Sequence, residues 1–304
     1  MNSIDLSKSD SPDPIAPTTR KKRDAEDWAL VLTAEGIQSE VIQVEAGFTL
    51  RVATEDATNA REILDSWQTE RAERSRRLAL PPPRGPTVLE SGLAYAFALA
   101  LLVFHLGLEY SGLWARYLDL GKSQAALVLE GQGWRLITAL TLHSDLSHVL
   151  GNTLFGGFFL AAVAGRLGIG VAVLSFVVTG TLGNLANALY YGSAHNSVGA
   201  STGVFGLVGV LAGLAAWQRH QTAPPGRGAW VAFAAGLAIV AMLGSGGPRV
   251  DFSAHLFGLA AGGLTGLLLA APFAIRPRLN PLAQAFAAAS AFAILVTAWR
   301  YALP

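Results

Sequence analysis

The sequence predicts an α-helical polytopic membrane protein of seven spans preceded by a small α+β soluble domain, and three observations carry that prediction. Of the 43 Asp, Glu, Lys and Arg residues, 28 lie before Ser91 and only 15 occupy the 214 positions that follow. Six segments free of these residues come after that divide: Ser91–Leu108, Leu146–Gly165, Leu167–Gln218, Gly228–Pro248, Phe252–Ile275 and Leu279–Trp299. The third is 52 residues long. Because about 20 apolar residues cross the roughly 30 Å of a bilayer's hydrocarbon, it must hold two helices, divided at the polar stretch Tyr191–Ser197. A soluble core built from so many charge-free segments would lack the polar residues to cover it.

Taken in order, residues 1–23 are rich in Ser, Asp, Pro and Lys/Arg and lack apolar periodicity, which reads as a disordered tail. They do not have the basic start and apolar run of a cleaved signal peptide, so the first membrane helix is expected to act as the signal. Residues 24–70 form the small α+β domain. Trp28, Val31 and Leu32 predict a helix, Ser39–Gln43 and Phe48–Ala53 two strands about a turn at Ala46-Gly47, and Ala57–Trp67 a second helix with Ala60, Ile63, Leu64 and Trp67 on one face. Residues 71–88, with Arg71–Arg77 and Pro81-Pro82-Pro83, are expected to be a basic, stiff linker, and residues 89–304 the membrane domain. A net charge of +1 gives no global field for nucleic acid, and the lack of cysteine excludes disulfides, thiolate nucleophiles and Cys-based metal sites.

Lys and Arg in short connections favour the cytoplasm. A cytoplasmic N-terminus places ten of them inside and five outside, three of the five in the long first loop, Glu109–Asp145. That loop exceeds a plain connector and is expected to fold at the membrane surface.

Polar groups within membrane helices are costly and therefore point to function. With the N-terminus inside, the second, fourth and sixth spans all run from outside inwards. His148 and Asn152 then lie near the start of the second, Ser201 at the start of the fourth and His255 a turn into the sixth, all at one depth. A serine hydroxyl becomes a nucleophile when a neighbouring histidine takes its proton. Ser201 sits among small residues, Val198-Gly199-Ala200-Ser201-Thr202-Gly203, that let a carbonyl come close, and Gly258 and Gly262 beyond His255 allow close helix packing. His148 and Asn152, at i and i+4, share a helix face and offer N–H donors to a developing oxyanion. Asp251, four residues before His255, reads as the N-cap of the sixth helix. His105, His195 and His220 have no evident partner, and His143 with His148 lacks the spacing and glutamate of a zinc motif.

These residues resemble the motifs of the rhomboid family. Gly199-Ala200-Ser201-Thr202-Gly203-Val204-Phe205-Gly206 looks like its serine motif, Ala254-His255-Leu256-Phe257-Gly258 like its histidine motif, His143-(four residues)-His148-(three residues)-Asn152 like its second-helix signature, and Gly133-Trp134-Arg135 like its first-loop pair. The resemblance spans roughly Leu89 to Ala271 and implies a rhomboid-like six-helix core plus a seventh helix. It also implies an intramembrane serine endopeptidase, of bacterial type and in the inner membrane, acting on transmembrane protein substrates within the lipid bilayer. By the same resemblance Ser201 is the nucleophile and His255 the base of a dyad without a catalytic Asp. His148, Asn152 and the Ser201 N–H form the oxyanion hole, Phe205 packs on the histidine, and Trp134 and Arg135 shape the first loop; His143, Gly199 and Gly258 support the site. No cofactor, metal or nucleic-acid partner is implied, and the oligomeric state is open. The family often has Gly directly after the serine, where this chain has Thr202. Two other classes remain: an inactive relative that binds membrane clients, and a transporter, against which the clustering of polar residues away from the midplane argues.

Overall fold

The computed structural model describes residues 18–78, 84–193, 195–222, 229–244, 251–275 and 279–304. The chain divides into two compact units, residues 1–82 and 83–304. In the first, helix α1 (Lys22–Ala34) and helix α2 (Ala57–Leu78) flank an antiparallel hairpin of β1 (Ser39–Val44) and β2 (Gly47–Val52), with Val44 opposite Gly47. Ala25, Trp28 and Leu32 of α1, Leu50 and Val52 of β2, and Ala60 and Leu64 of α2 bury one small core, with Ile63 and Trp67 packed at its edge. Order begins earlier than residue 24. Thr19 exchanges backbone hydrogen bonds with Phe48 (2.9 and 2.7 Å) in an isolated bridge to β2, so the expected tail is at most residues 1–17, which lie outside the described ones. Gly47 (φ 140°) is required there, because a Cβ would collide with the Thr19 carbonyl.

Arg71–Arg77, expected in a stiff linker, are instead the last turns of α2. Arg, Glu and Ala are good helix formers and no Gly or Pro interrupts them, so the helix that packs Leu64 simply continues. Pro81-Pro82-Pro83 lie outside the described residues.

Among the described residues, the second unit holds α3 (Val88–Tyr110), α7 (Leu146–Leu167), α8 (Ile169–Tyr191), α9 (Ser201–Thr222), α11 (Phe252–Ile275) and α12 (Pro281–Ala302), six helices long and apolar enough to cross a membrane. At 1.5 Å per residue a 22-residue helix is about 33 Å long, matching the hydrocarbon thickness. α10 (Ala229–Gly244) is apolar but only 16 residues, about 24 Å; the rest of the expected fifth span, residues 228 and 245–248, lies outside the described ones. The chain is an integral, multi-pass membrane protein. Large apolar side chains such as Leu154, Phe158, Phe286 and Phe292 are exposed on the outer faces of α7 and α12, as lipid contact demands.

α9 is the most buried of the six and α12 the least. Val204, Leu207 and Val210 of α9 pack with Leu160 and Ala164 of α7, Phe176 and Val177 of α8 and Ala287 and Ala291 of α12. In lipid, helices associate by close packing rather than by expelling water, and α9 meets α11 through glycines. A Cβ on Gly258 would strike the Thr202 carbonyl, one on Gly262 the Gly206 carbonyl, and one on Gly209 would lie 2.7 Å from the Gly263 nitrogen.

The first loop is folded: α4 (Trp114–Gly121), β3 (Ser123–Gln124), α5 (Ala125–Leu129) and α6 (Arg135–Thr138) lie between α3 and α7. Arg135 pins it, Nη1 donating to the carbonyls of Asp119 (2.8 Å) and Lys122 (3.1 Å) and Nε to Gln132 Oε1 (2.7 Å). β3 pairs with β4 (Asn196–Ser197), tying the loop to the segment that leads into Ser201.

Candidate active site

Three helix starts build the site. Asp145 caps α7, its Oδ1 accepting from the His148 N–H (2.9 Å) and the Ser147 hydroxyl (2.6 Å), which fixes His148 in the first turn and Asn152 one turn on. The Ser147 hydroxyl, the His148 N–H and the Ser144 hydroxyl outweigh burial and hold the Asp145 carboxyl down at about 2. Ser201 is the first residue of α9, and His255 lies one turn into α11, which Asp251 caps by accepting the Ala254 N–H (3.1 Å).

The dyad atoms meet: His255 Nε2 and Ser201 Oγ are 2.9 Å apart, a hydrogen bond across 54 residues of sequence. The Phe205 ring, one turn below Ser201, lies 4.5 Å from the His255 ring at 37°. Gly199 (φ 132°) precedes them. A Cβ there would lie 2.6 Å from His148 Cε1, 2.7 Å from His148 Nε2 and 3.5 Å from Ser201 Oγ, so the His148 ring reaches the nucleophile only past a glycine. Ser144 Oγ sits 3.1 Å from His148 Nδ1. The single Ser144 proton can go either to Asp145 Oδ2 (3.0 Å) or to His148 Nδ1, and only the second arrangement leaves the Nε2–H facing Gly199 that an oxyanion donor needs.

Asn152 Nδ2 is buried and has no hydrogen-bond partner among the described residues. It lines a small recess with Phe97, Ala98, Gly156, Ala200 and Val204, directly beneath the backbone that leads into Ser201. A buried amide without a partner is costly, which is consistent with a donor kept for a ligand oxygen.

His143 lies behind the serine rather than beside it. Its Nε2 is 3.4 Å from the Ala200 nitrogen, and its carbonyl accepts from Trp114 Nε1 (3.0 Å). Burial, with His148 and His105 nearby, pushes its imidazole down to about 3, so it is neutral and can accept. The Gly199 N–H donates to the Ala139 carbonyl (3.0 Å), so the first loop holds the serine's approach from two points. Of the first-loop pair, Arg135 makes the bonds described above, whereas Trp134 stands apart from the dyad, its Nε1 buried without a partner among the described residues.

Thr202 is buried, and its methyl faces Gly183 and Gly258: a Cβ on either would lie 2.6 and 3.2 Å from Thr202 Cγ2. The β-branched residue after the serine therefore fits where two neighbouring helices lack side chains.

A polar cluster that the sequence left unassigned joins α8, the β4 segment and α11. Asp251 Oδ2 lies 2.7 Å from His195 Nε2 and accepts from Asn187 Nδ2 (2.8 Å), and Oδ1 accepts from the Ser253 hydroxyl (2.8 Å). The His195 ring stacks on Tyr191 at 3.8 Å and 12°. Burial alone would raise the Asp251 carboxyl, but hydrogen bonds from His195, Ser253, the Ala254 N–H and Ser197 outweigh it and hold it below the usual carboxylate range. Asp251 is thus both a cap and the hydrogen-bond partner of His195.

Among known proteins, the Rhomboid domain family matches residues 130–272, a stretch that contains Ser201, His255, His148 and Asn152. The chain is 28% identical over 141 residues to YdcA of Bacillus subtilis, covering 46% of this chain and 69% of that protein. It is 32% identical over 162 residues to the rhomboid protease GluP of the same organism, covering 52% of this chain and 30% of GluP. Against the rhomboid-like protease 1 of Toxoplasma gondii it is 29% identical over 169 residues, covering 55% of this chain and 57% of that relative. The similarity to the rhomboid family thus lies in the membrane-spanning part of this chain, over residues 130–272.

Proposed function

We propose that this protein is an intramembrane serine endopeptidase that hydrolyses peptide bonds in or beside the transmembrane segments of membrane proteins. The observation that carries the reading is the 2.9 Å approach of Ser201 Oγ to His255 Nε2 at the N-terminal ends of two membrane helices. His255 takes the Ser201 proton as Oγ attacks the scissile carbonyl carbon. The Ser201 N–H, His148 Nε2–H and Asn152 Nδ2 receive the negative charge on the carbonyl oxygen. Collapse of that intermediate breaks the C–N bond, and His255 returns its proton to the leaving amine. Water, activated by the same histidine, then attacks the acyl-enzyme, releasing the acid and the serine.

A transmembrane substrate arrives as a helix with its backbone hydrogen bonds closed. Helix-breaking residues near the scissile bond should therefore speed attack. The bias of Lys and Arg towards one side favours a cytoplasmic N-terminal unit and a site that opens to the opposite compartment of a bacterial inner membrane. A serine-directed fluorophosphonate tests the reading: the purified protein should be labelled on the peptide that carries Ser201, and His255→Ala should lose the label. A wild-type protein that takes no label would instead favour a client-binding relative.

A further inference from the structure

The dyad joins residues on two different helices, and Ser201, as the first residue of α9, has no preceding turn to hold it. Below the dyad the glycine contacts of Gly258 with Thr202 and of Gly262 with Gly206 set the spacing. Above it, Asp251 crosses the gap to the segment that leads into Ser201, with its shortest contact to His195 and a further one to Ser197. His195 lies six residues before Ser201 and Asp251 four before His255. We propose that the His195–Asp251 pair is a clasp that positions Ser201 against His255, an inference that rests on the peptidase reading above.

Each half of the clasp is anchored to the element that it positions. Asp251 Oδ1 caps α11 at Ala254 and its carbonyl accepts the His255 N–H (3.3 Å), while Oδ2 takes His195 and Asn187. The His195 carbonyl accepts the Ala125 N–H (2.9 Å), so the same residue is tied to the first loop. Tyr191 stacks on the ring and its hydroxyl lies 3.2 Å from the Ser253 hydroxyl, to which it can donate, which limits how the imidazole can turn. A donor at Nε2 is what the geometry uses, and a glutamine amide can supply one from the same reach. Neither residue touches the reacting atoms; both are positioning residues.

The test uses the full chain in detergent, comparing wild type, Ser201→Ala, His195→Ala and His195→Gln. Fluorophosphonate labelling rate per folded molecule, kcat and KM on a single-pass substrate, and melting temperature are read together. A misplacement on the order of 1 Å costs about a hundredfold in rate. His195→Ala should therefore slow labelling and lower kcat by roughly ten- to a hundredfold, with KM and melting temperature little changed. His195→Gln should recover most of that rate. The clasp is overturned if His195→Ala labels at the wild-type rate, if glutamine recovers nothing, or if both variants unfold while their folded fraction reacts normally. A wild-type protein that neither labels nor cleaves overturns the peptidase reading itself, and the clasp with it.

Discussion

Replacing Gly262 by alanine probes how far the chemistry depends on the α9–α11 spacing, because the site of the change is two turns from His255. The added Cβ would press on the Gly206 carbonyl, 2.7 Å from its carbon and 2.9 Å from the Gly206 Cα. Both atoms are backbone, so no rotamer can relieve the contact. Bringing 2.7 Å to an ordinary 3.4 Å parts the helices by at least about 0.7 Å, since the carbonyl oxygen lies nearer still. Carried to their N-terminal ends, that shift lengthens the 2.9 Å bond between Ser201 and His255 to about 3.6 Å or more, no longer a hydrogen bond. The expected rate loss is about a hundredfold, or about 2.7 kcal/mol in the barrier. Overpacking should cost about 1–3 kcal/mol of stability, partly offset by the roughly 1 kcal/mol that alanine gains over glycine within a helix. Gly107→Ala is the control, since nothing lies within 4 Å of its Cβ, and it should leave rate and melting temperature at or above wild type. The assay is the initial rate of cleavage of a single-pass substrate per folded molecule. If Gly262→Ala folds and cleaves at the wild-type rate, the glycine contacts do not set the dyad.

Asn152→Ala should lower kcat by about 10²–10³, as the loss of one oxyanion donor does, while costing at most about 1 kcal/mol of stability. Unfolding in mild detergent with an unchanged rate in the folded fraction would make Asn152 a packing residue instead. Asp145 is held at about 2 in the fold against an ordinary 3.8, so its contribution is present above about pH 4 and lost as pH falls towards 2. Asp145→Ala should cost about 1 kcal/mol at pH 7 through the lost cap and flatten the fall of melting temperature between pH 4 and 2; an unchanged acid slope would contradict that role. The topology is testable because the chain has no cysteine. With an impermeant maleimide applied to intact cells, Glu130→Cys in the first loop should be labelled and Glu45→Cys should not; the reverse pattern would turn the site to the cytoplasmic face.

What the sequence made legible was whatever depends on short-range pattern. Charge-free runs located the membrane helices, and Trp28, Val31 and Leu32 located α1, whose buried residues are Ala25, Trp28 and Leu32. Equal depth brought Ser201, His255, His148 and Asn152 towards one place before any contact was known. Contacts across long stretches of chain left no such trace. Gln284 of α12 accepts from the N–H groups of Gly170 (2.8 Å) and Val171 (3.1 Å) and donates to the Leu167 carbonyl (2.7 Å), capping the α7–α8 corner from more than 110 residues away. Nothing near Gln284 marks it for that role. The His195–Asp251 pair was hidden for the same reason, since the cap reading satisfied Asp251 locally while its second oxygen served a partner 56 residues off. The run Arg71–Arg77 misled because high charge was read as a linker, although its residues favour helix and α2 was already nucleated by its packed half.

The central claim is that Ser201, activated by His255, cuts membrane-embedded substrates. It is tested most directly by incubating the purified full chain with a single-pass membrane substrate, wild type beside Ser201→Ala. The account predicts cleavage by the wild type and none by Ser201→Ala, with matching melting temperatures because one hydroxyl contributes little packing. Retained cleavage by a folded Ser201→Ala protein, at even a tenth of the wild-type rate, would contradict it.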